Sequence, residues 1–335
     1  MEVVMPHPDD ERTAVRPIKK LVEDDFLSRP GVVGVDLGEK TTGGHRTGRL
    51  AIVVFVRRKG PAAQFAIPPD VLGVPTDVVE DSFSPHHTIA SPEGVGGAER
   101  HDQMRGGIGI GPSRAIRFVP PDVAEADDYV VAGTLGALVT PRRRRLVMGL
   151  TAFHVACVDD AWAVGDPMVH PSRVDGGHPV HDRVGALARA ALSSRVDAAA
   201  IMLTTPRHRA EVVGLGPVLG HAAAAVGQRV RKRGRTTAVT EGVVASTDAA
   251  ITLDFGVGLG VRTLHDQIRI ETPRFADHGD SGAVLLDDAN RVVGLYLGGS
   301  RCRGFANPIA PVLDQLDVDL LTPGARGTPT PARGA

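Results

Sequence analysis

The sequence predicts a mainly β protein with a small α+β unit ahead of it, on three observations. Forty glycines and 25 prolines among 335 residues demand many turns. Beyond Arg105 the apolar residues come in short runs parted by Gly-rich turns, among them GIGIG, GTLGALVT, VDAAAIML and RVVGLYLGG. That cadence suits barrels or a sandwich and leaves little room for helices. Before Arg105 one near-helical spacing occurs, Ile18, Leu21, Val22 and Phe26, followed by strand-like runs.

Taken in order, residues 1–16 are polar and proline-broken and are expected to form a flexible arm. PIKKLVEDDFLSR, 17–29, is expected to be an amphipathic helix stopped by Pro30 and Gly31. VVGVDL, LAIVVFVRR and VPTDVVE then have strand character, with TTGGHRTG as a turn and IPPDVL at 67–72 as one helical turn. Residues 17–81 thus make a small α+β unit. Residues 82–104, with SPHH and SPEGVGG, are expected to be a linker. PVLDQLDVDLL, from 311, is expected to be a C-terminal helix, and 322–335 a disordered tail.

Composition narrows the function classes. Hydrophobic residues make up 42% of the chain and aromatics 4%, so Ala, Val and Leu fill a large core. A formal net charge of −1 gives no overall field for nucleic acid or an anionic membrane. No run approaches the roughly 18 apolar residues of a membrane span. The start, MEVVMPHPDDERTAVRP, has acids and prolines where a secretory signal needs a basic start and an apolar run. Cys157 and Cys302 are two cysteines, which suits reduced thiols in a cytoplasmic setting better than a disulfide framework.

The chemistry lies in three separated residues. Nucleophilic hydrolysis by a serine needs an imidazole base, a carboxylate that fixes the imidazole tautomer, and N–H donors for the oxyanion. Gly279-Asp280-Ser281-Gly282 sets a serine in a tight turn, with the amides of Gly279 and Ser281 as expected oxyanion donors. His154 follows the apolar run LVMGLTAF, and Asp197 opens the run AAAIML. Asp175 and Asp182 could also orient the imidazole but lack a following apolar strand.

LTAFHVA, VDAAAI, HGDSGAVL and VVGLYLGGS, in that order over 131–313, resemble the signature blocks of trypsin-like, chymotrypsin-fold serine peptidases. GVVGVDLGEKTTGGHRTGRLAIVVFVRRKG, GVPTDVVE, KRGRTT and FANPIAPVLDQL are similar to the bacterial and plant Narrow-leaf type of that family. The resemblance implies two antiparallel six-stranded β-barrels, 105–210 with His154 and Asp197 and 211–321 with Ser281, and a site between them. It implies a serine endopeptidase acting on protein or peptide substrates, with no cofactor or metal and possibly homo-oligomeric. Phe275 stands where trypsin carries the acid that selects Arg or Lys, so tryptic preference is not expected. Gly298 and Gly299 would pair with a substrate strand, with Tyr296 and His278 also at the substrate site. Asp280 occupies the position that pairs with a new N-terminus in processed trypsins; here an internal donor is expected to hold it, and the enzyme is expected to be active without processing.

Other readings are weaker. A trypsin-fold module that binds peptides without catalysis would not need all three triad residues. PHPDDE, with His7, Asp9 and Asp10, resembles the zinc motif of GlcNAc-type deacetylases, but no α/β domain follows it. Cys157 is better explained as a small buried residue than as a nucleophile. The remaining histidines fit no metal-ligand spacing. Arg142 to Arg145 and RVRKRGR, 229–235, are expected at solvated hairpin tips, since no aromatics stand nearby to stack bases.

Overall fold

The computed structural model describes residues 8–60, 66–91, 99–121, 123–143, 146–256 and 258–324. Its first unit packs helix α1 (Pro8–Leu27) on strands β1 (Val32–Thr42), β2 (His45–Val56), β3 (Asp70–Val71) and β4 (Val74–Glu80). Val35, Leu37, Ile52, Val54 and Val56 face the helix's Val15 and Phe26. Val33, Val53 and Phe55 form a second cluster with Phe83. With both faces covered, the first seven residues of β1 are all buried instead of alternating.

Three expectations about local structure are corrected. The helix starts at Pro8 and runs through Pro17, so residues 8–16 are not a loose arm. Pro17 costs the helix one N–H, and anchors outside the helix offset it: Arg12 donates to the carbonyls of Leu37 and Ala245, and Arg16 pairs with Asp248. The stretch 67–72 is not helical. Val71 and Val74 pair across a two-residue turn in which Leu72 and Gly73 both have positive φ, a hairpin geometry. Residues 311–321 are not one helix, since α3 (Ile309–Gln315) stops before Asp317, whose φ is 49°. Val318 and Leu320 are then buried and Asp319 exposed, a strand period, and β24 (Val318–Leu320) pairs with β11 (Ala137–Pro141).

The residues expected to link the units are threaded through the molecule. β5 (Ser84–Pro85) and β6 (Thr88–Ala90) lie within 82–104, and residues 92–98 of that stretch are outside the described residues, as is 325–335 of the expected tail. β7 (Met104–Gly106) joins β16 (His208–Val212) and β17 (Gly216–Pro217) in a small sheet.

The first barrel contains β8 (Ile108–Pro112), β10 (Asp127–Leu135), β11, β12 (Met148–Thr151), β13 (Pro167–Val169), β14 (Arg183–Leu192) and β15 (Asp197–Leu203). Gly136 alone separates β10 from β11, so the two run as one strand. The antiparallel pairings β8–β10, β11–β12, β12–β15, β15–β14, β14–β13 and β13–β8 then close a six-stranded circuit. β9 (Ile116–Phe118) pairs with the outer end of β10.

The second barrel contains β18 (Arg229–Gly234), β19 (Ala238–Asp254), β20 (Val261–Ile270), β21 (Val284–Leu286), β22 (Val292–Gly299) and β23 (Gly304–Pro308). Its pairings β18–β19, β19–β20, β20–β23, β23–β22, β22–β21 and β21–β18 also close. The mainly β fold with two antiparallel six-stranded barrels is therefore the observed one. Among the described residues no helix is long and apolar enough to cross a membrane.

The first unit is joined to the second barrel by backbone, because β1 pairs with β19 at Gly34 with Ile251 and Val35 with Ala250. At this seam buried Asp36 accepts from Arg269 Nε at 2.6 Å and from Ser246 Oγ at 2.5 Å. Replacing Asp36 with Ala leaves the buried Arg269 guanidinium with Glu271 alone, at 2.9 Å, and should cost about 3 kcal/mol in urea unfolding. Thr41→Ala at the exposed end of the same strand should stay within about 0.5 kcal/mol.

Candidate active site

β12 ends at Thr151, and a single helical turn, α2 (Phe153–Ala156), carries His154 into the interior. Asp197 is the first residue of β15, which pairs directly with β12, so both side chains sit at one end of the first barrel. Asp197 Oδ2 lies 2.5 Å from His154 Nδ1, and Oδ1 accepts the His154 amide at 3.1 Å. A carboxylate can only accept, so Nδ1 carries the hydrogen and the neutral ring leaves Nε2 as a free base. Nε2 is buried and has no hydrogen-bond partner among the described residues. Asn307 of the second barrel fixes the carboxylate's backbone: its Oδ1 accepts from the Asp197 amide at 3.0 Å, and its Nδ2 donates to the Asp197 carbonyl at 3.2 Å.

Ser281 comes from a turn just before β21. Gly279 has φ +104°, and a Cβ there would lie 2.2 Å from Thr236 Oγ1, so the turn needs glycine. Asp280 is fully buried beneath it. Its carboxylate accepts from Lys232 Nζ at 2.8 Å, Thr237 Oγ1 at 2.6 Å and the Thr236 amide at 2.9 Å. Lys232 is thus the internal donor expected for this acid. Burial alone would push the Asp280 carboxyl up, but Lys232 and the hydrogen bonds of Lys232 and Thr237 hold it below the usual range. Burial outweighs Asp280 on the other side of the pair and lowers Lys232.

The basic run 229–235 is therefore not simply a solvated tip. β18 alternates faces, and Val230, Lys232 and Gly234 point inward. Arg235 pairs with Asp175, and Arg100 pairs with Asp182, so neither acid orients His154. Arg142 pairs with Asp314 and Asp319, while Arg144 and Arg145 lie outside the described residues. Cys157 is buried, and burial pushes its thiol far up, which makes it a poor nucleophile. His7 of the PHPDDE motif lies outside the described residues, as do the side chains of Asp9 and Asp10.

The three expected triad residues are not all hydrogen-bonded to one another. Ser281 Oγ donates to the Leu297 carbonyl at 2.8 Å and accepts the His86 amide at 3.0 Å, not His154. The amides of Gly279 and Ser281 converge as expected, and they converge on a carbonyl, that of His86, at 2.5 and 3.3 Å. Gly298 and Gly299 pair with Pro85 and Ser84. Tyr296 Oη lies 2.9 Å from His86 Nδ1, and the His278 ring lies 4.8 Å from that of His86. Phe275 is buried edge-on behind Tyr296, with centroids 6.0 Å apart. Lys232, His86, His87 and Asn307 escaped the sequence reading as site residues. The alternation in RVRKRG could have revealed Lys232; nothing in SPHH marks its place in the cleft.

No family model and no curated protein matches the chain. Among solved structures it is similar to a Nocardiopsis protease, with TM-score 0.47 and 19% identity over 66% of this chain and 100% of that one. It is also similar to a Cellulomonas bogoriensis chymotrypsin, with TM-score 0.45 and 21% identity over 66% and 100%. A third is described as a glutamic acid specific serine protease that uses a histidine triad in substrate binding, with TM-score 0.47 and 20% identity over 65% and 100%. Identities this low speak for fold alone, and TM-scores below 0.5 leave the chemistry to this chain's own residues.

Lys232→Met leaves Asp280 buried without its cation and should cost about 3–5 kcal/mol by chemical denaturation. Adding Asp280→Asn should recover part of that loss. Because the Asp280 carboxyl is held below its usual range, the pair's contribution is complete above the ordinary aspartate pKa and fades as pH falls through the depressed value.

Proposed function

We propose that the chain is a serine endopeptidase that hydrolyses peptide bonds of protein substrates through a covalent acyl-enzyme. The observation that carries this reading is the convergence of the Gly279 and Ser281 amides on the His86 carbonyl, while the ring of the next residue, His87, lies 5.3 Å from that of His154 in the His154–Asp197 pair. A carbonyl held there is polarised toward its oxyanion by donors already in position. The reading requires Ser281 Oγ to leave the Leu297 carbonyl, to which it now donates, for His154 Nε2. His154 Nε2 then accepts the hydroxyl proton, Oγ bonds to the substrate carbon, and Asp197 stabilises the imidazolium. His154 returns that proton to the departing amine, and water attacks the ester by the same route. No step calls for a group outside the chain and water. Gly298 and Gly299 would pair with the extended substrate, and His278 and Tyr296 would face the side chain before the cut bond.

The narrower Narrow-leaf likeness rests on the sequence blocks that suggested it. A cytoplasmic setting is supported by two free thiols, Cys157 and Cys302.

A peptide-binding module without catalysis is the second reading, and the hydrogen bond from Ser281 Oγ to Leu297 favours it. A fluorophosphonate separates the two. The peptidase should label at Ser281 and Ser281→Ala should not, whereas a silent module would leave both unlabelled. Asp197→Asn should lower peptide hydrolysis by about 10⁴-fold through the wrong imidazole tautomer, with the circular dichroism spectrum unchanged.

A further inference from the structure

The groove beside Ser281 is already occupied, and the occupant is this chain. Ser84 and Pro85 lie antiparallel to Gly299 and Gly298. A Cβ on Gly298 would come 2.2 Å from the Ser84 carbonyl, so the two backbones are in close contact. The His86 amide donates to Leu297 O at 3.2 Å, and the His86 carbonyl takes both oxyanion donors. The His86 side chain is buried against Tyr296 and His278. The next residue, His87, sets its ring 5.3 Å from that of His154 and gives its carbonyl to His278 Nδ1 at 3.1 Å. Thr88, Ile89 and Ala90 then pair with β10 of the first barrel. The segment therefore enters along the second barrel, presents one carbonyl to the oxyanion donors, and leaves past the general base.

A connecting loop that merely rests on a surface has no reason to direct a main-chain carbonyl between two converging amides while burying the same residue's ring. A substrate has to do both. We propose that residues 84–88 are the protein's own first substrate: Ser281 cuts the His86–His87 peptide bond within the same chain, and until then this strand closes the cleft to other polypeptides. The inference rests on the peptidase reading above.

In the cutting step Ser281 Oγ bonds to the His86 carbonyl carbon as its proton passes to His154. The carbon–nitrogen bond to His87 breaks, and the new His87 amine takes that proton. Water then hydrolyses the ester, leaving a carboxylate on His86 and restoring the Ser281 hydroxyl. The pocket would accept a neutral imidazole before the cut bond. Burial, then His278, pushes His86 down to about 4, while burial pushes the Tyr296 hydroxyl well up, so Tyr296 donates and the ring accepts. The new terminus has no ion pair to form at Asp280, which Lys232 already holds. The cut would act by clearing the groove.

The test follows full-length wild type and Ser281→Ala by denaturing mass spectrometry and N-terminal sequencing, beside fluorophosphonate labelling of wild type and His86→Pro. Pro at 86 removes the amide that donates to Leu297. Wild type should split into chains ending at His86 and beginning at His87, at a rate independent of protein concentration, and Ser281→Ala should stay whole. His86→Pro should stay whole yet label at Ser281 faster than uncut wild type. An intact wild type alongside a labelled Ser281 overturns the inference and leaves the peptidase reading standing. A cut at another bond, or a rate that rises with concentration, also overturns it. No labelling of either chain and no cut removes the peptidase reading as well.

Discussion

The site depends on the buried ion pair between Lys232 and Asp280. Two consecutive turns of backbone must aim the amides of Gly279 and Ser281 at the same point, and the left-handed conformation of Gly279 permits this without enforcing it. Asp280 enforces it from below, because its carboxylate also takes the amides of Thr236, Thr237 and Asp277. Five donors from two stretches of chain, 232–237 and Asp277, meet on one acid, so the Ser281 turn cannot shift without breaking several charge-assisted bonds in a dry environment. A permanent lysine in this role lets the turn be set as soon as β18 pairs with β19 and β21.

The imidazole side is tied to the same frame by Asn307. Asp197 belongs to the first barrel and Asn307 to the second, and their paired backbone and amide contacts cross between the barrels. Thr134 makes a second crossing: its hydroxyl donates to the Gly279 carbonyl at 2.9 Å, and its amide donates to the Ser281 carbonyl at 2.8 Å. Relative movement of the barrels is thus opposed beside His154 and beside Ser281 alike, which is the rigidity that the proposed catalysis would require.

What the sequence made legible follows from where the signal is local. Asp197 is visible because a turn former stands at the head of an apolar strand, and Ser281 because two glycines bracket an acid and a hydroxyl. Strand periodicity exposes a barrel or a sandwich, and the division into two six-stranded barrels comes from the family resemblance. The first helical turns of α1 were hidden because Pro17 carries a start signal, while the bonds that extend the helix backward come from Leu37, Ala245 and Asp248, far along the chain. SPHH was illegible for the same reason at a larger scale. Its extended shape comes from Gly298, Leu297 and the amides of Gly279 and Ser281, which lie about two hundred residues away.

That distance in sequence becomes a short tether in space. The strand in the groove is held upstream by Asp81, which pairs with Arg303 and Ser300, and downstream by the pairing of Thr88 with Ala132. A segment fastened at both ends pays little entropy to settle between its anchors, and its effective concentration at the groove is on the order of millimolar or higher. A polypeptide arriving from solution must outcompete that value, so even a modest fit of Ser84 to His87 suffices to exclude it. Neither strong side-chain complementarity nor a separate inhibitory domain is needed. The β1–β19 seam then has a consequence beyond stability: by fixing the first unit to the second barrel, it sets where the connecting strand starts and therefore which groove it must cross.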